Sequence, residues 1–358
     1  MKYKYLLLAI LLLTTSITGC SSASYSKYTY EFIGAFDTTI QFIGYSKSKK
    51  DFEAMVEYGQ NRLMELNKLF DIYNEYDGIN NLKTINNNAG IEPVKVEEEI
   101  IDLLLLSKEW YYKTNGKCNI ALGPVLSIWH DYRDAGILDP ENAKLPPLSD
   151  LENAAKYTDI DKVVIDEENS TVFLAEKNMR LDAGAVAKGY STELVVMELL
   201  DKGYDNFAIS SGGNVRVTGQ PMISGRKKWG VGIQNPEGNV YDPDDPSLDI
   251  IYVNDKSVVT SGDYHRTYTV DGKKYHHIID SETLMPAEYF TAVVVIDENS
   301  GFSDFMSTTL FLTPYEEGLE LAEKFDVDAV WIFKDGTIKA TPNAKNIMKN
   351  FGGASGNE

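Results

Sequence analysis

Apolar residues recur at helical spacing across residues 51–70, at Phe52, Met55, Val56, Leu63, Leu66 and Phe70, which predicts an amphipathic helix. A second helix is expected over residues 96–112, with Glu97, Glu98 and Glu99 in its first turn, where the helix dipole favours acids. Residues 302–312 read as a mostly apolar, buried helix, and residues following Asp182 open another that continues to Leu200. Between these lie shorter runs that read as hairpins. One spans 163–175 around Glu168-Asn169-Ser170, one 266–279 around Asp271-Gly272, and one 329–340 around Asp335-Gly336. Asp-Gly between alternating runs is a strong hairpin signal. Helices and hairpins are interspersed with no break in composition and no internal repeat. The pattern therefore predicts an α+β fold, antiparallel or mixed sheets flanked by helices, in one large domain over residues 29–350.

The two ends are set apart. Lys2 and Lys4 precede an unbroken apolar run over residues 6–13. That run is shorter than the ~20 residues that span a bilayer, so it reads as the core of a signal peptide. Ile17-Thr18-Gly19-Cys20 follows and looks like a bacterial lipobox. Residues 1–19 are then a signal peptide, Cys20 is the lipidated N-terminus, and residues 20–28 form a tether. The expected location is the extracytoplasmic face of a bacterial membrane, held by the lipid. The alternative is an ordinary signal peptide with an incidental cysteine. Residues 351–358 are rich in Gly and Ser and read as a frayed tail.

Composition removes several classes. The chain of 358 residues carries 34 Lys+Arg against 54 Asp+Glu, a net charge of -20. Nucleic-acid binding needs clustered positive charge, so it is excluded as an expectation. Two cysteines cannot build a disulfide framework or a Cys-based zinc site. Cys118 is expected to be a buried small residue. The acidic stretch from Tyr241 to Pro246 reads as a solvated loop, because prolines interrupt any calcium-loop rhythm.

Several segments could carry chemistry. Asp304 and Thr308 lie four apart in an apolar helix, hence on one face. A buried carboxylate is costly unless paired or metal-bound, and a carboxylate with a hydroxyl suits Mg²⁺. The competing reading makes Asp304 a helix N-cap and has Thr308 bond back to its own helix. Asp182-Ala183-Gly184-Ala185-Val186-Ala187-Lys188-Gly189 passes from a strand-like run into a helix, with a lysine near the helix start, as phosphate binding favours. Its spacing is not that of a P-loop. Ser211-Gly212-Gly213-Asn214 is a turn able to offer backbone N–H groups, or a bulge. Three of the four histidines lie between 258 and 280. Among them His277 is a candidate general base, or else a structural histidine bonded across the hairpin. Tyr73 could stack on a flat ligand or be an ordinary core or surface tyrosine.

Taken in order, these segments resemble the ApbE family of FAD:protein FMN transferases. The matched pieces are Phe36-Asp37-Thr38, Asp71-Ile72-Tyr73, Ala121-Leu122-Gly123-Pro124 with Trp129, Asp182 to Tyr190, Ser211 to Asn214, Thr260-Ser261-Gly262-Asp263, His277-Ile278-Ile279-Asp280, and Asp304 with Thr308. The resemblance implies a single catalytic domain that cleaves FAD at its pyrophosphate. The FMN half passes to a Thr or Ser hydroxyl of an extracytoplasmic acceptor protein, and AMP leaves. It implies Mg²⁺ held by Asp304, Thr308 and the carbonyl of Ala185. It implies flavin contacts at Phe36, Tyr73, Ala121, Leu122, Gly123, Asp182, Lys188, Gly212, Gly213, Ser261 and His277, with His277 assisting the hydroxyl's attack. Two departures stand out. Phe36-Asp37-Thr38 replaces the family's frequent Met-Gly-Thr, and Ser281-Glu282-Thr283-Leu284 replaces Pro-x-Thr-Gly. The alternatives are a Mg²⁺-dependent FAD pyrophosphatase, in which water replaces the acceptor, and a non-enzymatic flavin-binding lipoprotein.

Overall fold

The computed structural model describes residues 24–236, 238 and 247–351. The expected signal peptide over residues 1–19, Cys20, the acidic stretch 241–246 and the expected tail from residue 352 on lie outside the described residues. The fold is α+β, as the pattern predicts. Its centre is an eight-stranded sheet of Ser26–Ala35, Thr38–Ser46, Phe207–Ser211, Asn214–Val217, Ser257–Gly262, Phe290–Asp297, Asp328–Phe333 and Ile338–Ala340. The strands lie side by side in chain order and every pairing is antiparallel. The described helices from Lys49–Phe70 to Tyr315–Lys324 are therefore excursions between neighbouring strands, and Pro342–Ile347 follows the last strand. Among the described residues, no helix is long and apolar enough to cross a membrane.

Strand alternation splits the core in two. On Phe290–Asp297, Val293 and Val295 face the helices, while Ala292, Val294 and Ile296 face the opposite side. Such period-two division is what a strand buried on both faces must show. The helical side is covered by Lys49–Phe70, Glu98–Lys113, Ala187–Asp201 and Ser300–Phe311. The other side is covered by the hairpin Trp229–Ile233 and Asp249–Val253, through Trp229, Val231 and Ile251. A third cluster joins Gly123–Leu138 to the hairpin Tyr268–Val270 and Lys273–Tyr275, where the Trp129 indole N–H donates to the Leu284 carbonyl at 2.9 Å.

Three expectations need correction. Residues 26–28, read as tether, begin the first strand, with Ser26 opposite Ser46 and Tyr28 opposite Gly44. The hairpin over 266–279 is shorter than the alternation suggests. Asp271 (φ 51°) and Gly272 (φ 79°) make the expected tight turn, but pairing stops at Tyr275. Beyond it the His276 ring replaces the ladder, accepting from the Ile278 N–H (3.2 Å) and donating to the Ala287 carbonyl (2.8 Å). Finally, the helix Ser300–Phe311 is capped by Asn299, whose side chain accepts from the Phe302 N–H. Asp304 is thus interior to the helix and not its cap.

Candidate functional site

The site is built where the start of Ala187–Asp201 meets the face of Ser300–Phe311. The first four N–H groups of a helix lack internal partners. Here the Gly189 N–H goes to Asp304 Oδ2 at 2.8 Å, which leaves the Ala185 carbonyl without that i−4 donor. Lys188 Nζ stands 3.3 Å from Asp304 Oδ1. The Asp304 side chain is only 5% exposed, while that of Lys188 is 24% exposed. Glycine at 189 is required by this closeness: a Cβ there would lie 2.3 Å from the Ser300 carbonyl oxygen and 2.5 Å from Asp304 Cβ.

One turn on, Thr308 does not bond back to its own helix through its side chain; its hydroxyl meets Ser261 Oγ at 3.2 Å. The hydrogens in this chain can be assigned. Ser307 Oγ donates to the Asp304 carbonyl (2.9 Å), so Ser261 donates to Ser307 (2.8 Å) and Thr308 donates to Ser261. The lone pairs of Thr308 Oγ1 stay free. One carboxylate, one hydroxyl with free lone pairs and one unoccupied carbonyl form an all-oxygen set that fits a hard cation. Among the described residues there is no cluster of three His, Cys, Asp or Glu suited to a metal. A single carboxylate is nonetheless the usual provision for Mg²⁺, which fills its shell with water and substrate phosphate.

Asp182 is placed by two backbone anchors. Its N–H donates to the Ile120 carbonyl (2.8 Å), and the neighbouring Leu181 is held on both sides by the Asn86 amide, at 2.7 and 3.0 Å. The first anchor also explains Ala121, Leu122 and Gly123. All three are buried, and a Cβ on Gly123 would lie 2.4 Å from the Arg180 carbonyl. They stand behind the Asp182 segment and present no exposed side chain. Gly212 and Gly213 have φ 55° and 92° and form the turn that passes over Thr38, whose Oγ1 would meet a Cβ on Gly212 at 2.0 Å.

Tyr73 is 56% exposed, and its hydroxyl meets His130 Nδ1 at 3.1 Å. Burial of the phenol and the field of Asp182 push its pKa up to about 12. Arg133 and Arg266 act on Tyr73, His130 and His277 alike. Arg266 Nη2 also donates to the Phe36 carbonyl at 3.4 Å, and the Phe36 N–H donates to Asn67 Oδ1 at 2.7 Å. The Arg266–Phe36 bond, with the fields of Asp182, Arg133 and Arg266 at Tyr73 and His277, sets Phe36, Tyr73, Asp182, Arg266 and His277 in one neighbourhood. Three basic residues there, His130, Arg133 and Arg266, were not among those singled out from sequence.

The histidine bonded on both ring nitrogens is His276, whose partners Ile278 and Ala287 lie beyond the hairpin. Burial, with Arg266 next, lowers the His277 pKa to about 3. The His265 backbone opposes that shift only weakly, and the His277 Nδ1 has no hydrogen-bond partner. The imidazole is therefore neutral at ordinary pH with one lone pair unused. A folded pKa below the ordinary 6.5 means the unfolded chain takes the proton first as pH falls. The contribution is complete above pH 6.5 and is lost on the way down to about 3. We expect His277→Asn to flatten the fall of melting temperature between those limits. A fall parallel to the parent's would show that another group is responsible, and burial lowers the pKa of His130, His265 and His276 too. Cys118 is buried as expected, and burial raises its thiol pKa far above the usual range.

The ApbE family model matches residues 36–331, most of the chain. The chain belongs to the ApbE family. It is 32% identical over 273 residues to the FAD:protein FMN transferase of Treponema pallidum, covering 73% of this chain and 72% of that one. Its identity to the enzyme of that name from Klebsiella pneumoniae is 30% over 256 residues, 71% of this chain and 75% of that one. The crystal structure of the ApbE protein from Thermotoga maritima superposes with a TM-score of 0.76 at 25% identity, covering 90% of this chain and all of that one. The flavin transferase ApbE of Vibrio cholerae shares the fold, with a TM-score of 0.73 at 22% identity, covering 90% of this chain and all of that one. The span matched by the ApbE family contains every site residue discussed above.

Proposed function

We propose that this protein is an FAD:protein FMN transferase that moves the FMN half of FAD onto a Thr or Ser hydroxyl of an acceptor protein and releases AMP. The observation that carries the reading is the joint held by Gly189, Lys188 and Asp304 at a helix start; a neutral His277 and an exposed Tyr73 agree with it. Membership in the ApbE family and the names of its relatives support it.

The reaction exchanges the phosphoanhydride bond of FAD for a phosphoester bond to the acceptor. The acceptor oxygen bonds to the FMN-side phosphorus, the bond to the AMP-side oxygen breaks, and AMP carries that oxygen away. Such transfers depend on placement and on neutralising charge. Asp304, Thr308 and the Ala185 carbonyl would hold Mg²⁺, which supplies Lewis-acid stabilisation of the phosphate oxygens. Lys188 offsets further negative charge. Tyr73 offers a face to the flavin ring, and Phe36 and the Gly212–Gly213 turn border it. Neutral His277 can accept the proton of the attacking hydroxyl, which requires its enclosed Nδ1 to become accessible to the acceptor. The N-terminal lipid on Cys20 would hold the enzyme at the extracytoplasmic face of a membrane, where the acceptor would also lie.

The test uses the chain from Ser21 onward with FAD, Mg²⁺ and an acceptor bearing an exposed Thr. AMP release with an acceptor mass gain of one FMN is the expected result. AMP with free FMN and an unmodified acceptor would point to a pyrophosphatase. Tight FAD binding without AMP would leave only a flavin binder.

A further inference from the structure

Two hydrogen-bonded rungs join Ala187–Asp201 to Ser300–Phe311, and each rung pairs one carboxylate with one cation. The first is the one described above, in which Asp304 accepts from the Gly189 N–H and faces Lys188. The second lies one turn along both helices, at Glu193 and Ser300. There the Ser300 N–H donates to Glu193 Oε2 at 2.7 Å. Arg216, from the strand Asn214–Val217, donates to the same carboxylate through Nε (3.1 Å) and Nη2 (3.4 Å). Its Nη1 donates to the Val217 carbonyl at 2.7 Å. The direction of donation reverses between rungs. In one, the helix Ala187–Asp201 gives an N–H to a carboxylate; in the other, it supplies the carboxylate.

The second rung is buried, with the Arg216 and Glu193 side chains 7% and 12% exposed. A buried ion pair is a poor way to hold two helices together, since apolar residues of similar size do so with less desolvation. What it adds is a fixed position. Glu193 caps a free N–H of the Ser300–Phe311 helix at its first residue, and Ser300 Oγ donates to Asn214 Oδ1 at 2.7 Å. At Gly189 the helices have no space left to slide closer. An error in the placement of Ser300 therefore passes directly to Asp304, one turn away.

We propose that Glu193, oriented by Arg216, is a positioning residue that sets where Asp304 and Thr308 stand relative to Lys188 and the Ala185 carbonyl. The proposal rests on the reading of those oxygens as the Mg²⁺ site. Glu193 touches neither metal nor flavin, so its removal weakens metal binding and spares FAD affinity measured without metal. Partners that orient metal ligands in this way are typically worth about 10- to 100-fold in metal affinity.

The test is a titration of the chain from Ser21 onward with Mn²⁺ as spectroscopic probe, alongside FAD binding and FMN transfer at increasing Mg²⁺. Glu193→Ala should weaken Mn²⁺ binding by about 10- to 100-fold, with FAD affinity near the parent's and transfer restored as Mg²⁺ is raised. Glu193→Gln keeps an oxygen for the Ser300 N–H and should recover most of the metal affinity. Should Glu193→Ala fail to fold, the double variant Glu193→Gln with Arg216→Gln removes both charges without stranding either, and should show an intermediate loss. Parent-like Mn²⁺ affinity in the Ala variant would overturn the positioning role. So would a joint decline of metal binding, FAD binding and melting temperature that excess Mg²⁺ does not reverse. A parent chain that takes up no Mn²⁺ would overturn the metal reading itself, and this proposal with it.

Discussion

Replacing Asp304 by asparagine is expected to lower FMN transfer by at least about 10²- to 10³-fold, the usual cost of losing one group that stabilises transition-state charge. The fold should survive. Asparagine keeps an oxygen for the Gly189 N–H, and the Lys188 side chain, already 24% exposed, can take up water once its partner is gone. The loss should therefore appear in AMP release and in covalent flavin on the acceptor, with only a small change in melting temperature. Asp304→Ala should cost more stability, because the Gly189 N–H is then left without a partner in a buried place. Full turnover of Asp304→Asn at ordinary Mg²⁺ would take Asp304 out of the metal site.

Much of this arrangement was legible in the sequence, and the limits have physical causes. The pairing of Asp304 with Thr308 follows from helical spacing alone. Whether Asp304 began the helix or lay within it did not, because Ser300, Ser303 and Asn299 are all plausible caps, and only burial of the whole segment decides. The hairpin at 271–272 was legible because its turn is local. Its early end at Tyr275 was not, because it depends on His276 reaching the Ala287 carbonyl across a loop. Arg216 sits in an alternating Val-Arg-Val run that reads as a polar outward position. Its burial is decided by where a helix from earlier in the chain brings Glu193. His130 carries no local signal for a related reason. It belongs to a helix whose Val125 and Trp129 join a cluster with Tyr268, and its nearness to Tyr73 is purely tertiary. Local signals gave Asp304 and Thr308, and long-range packing supplied the groups that hold and surround them.

Gly189→Ala is expected to lower stability and activity together. On propensity alone the change should help, since alanine is favoured over glycine inside a helix by about 1 kcal/mol. The surroundings reverse the sign. The new Cβ would lie 2.3 Å from the Ser300 carbonyl oxygen, 2.5 Å from Asp304 Cβ and 2.9 Å from Asn214 Nδ2. The nearest of these is backbone and cannot rotate away, so the two helices must separate. Overpacking of this kind costs about 1–3 kcal/mol and sometimes more. Separation also breaks the bond from the Gly189 N–H to Asp304 and draws the carboxylate away from the Ala185 carbonyl. Melting temperature and transfer should therefore fall together, and excess Mg²⁺ should not restore transfer. Gly203→Ala is the control. Gly203 has φ +87° with nothing within 4 Å of an added Cβ, so only backbone strain of about 1–2 kcal/mol applies, and transfer per folded molecule should stay at the parent level. A Gly189→Ala protein as stable and active as the parent would mean that the helices do not meet this closely, and the geometry assigned to Asp304 would have to be abandoned.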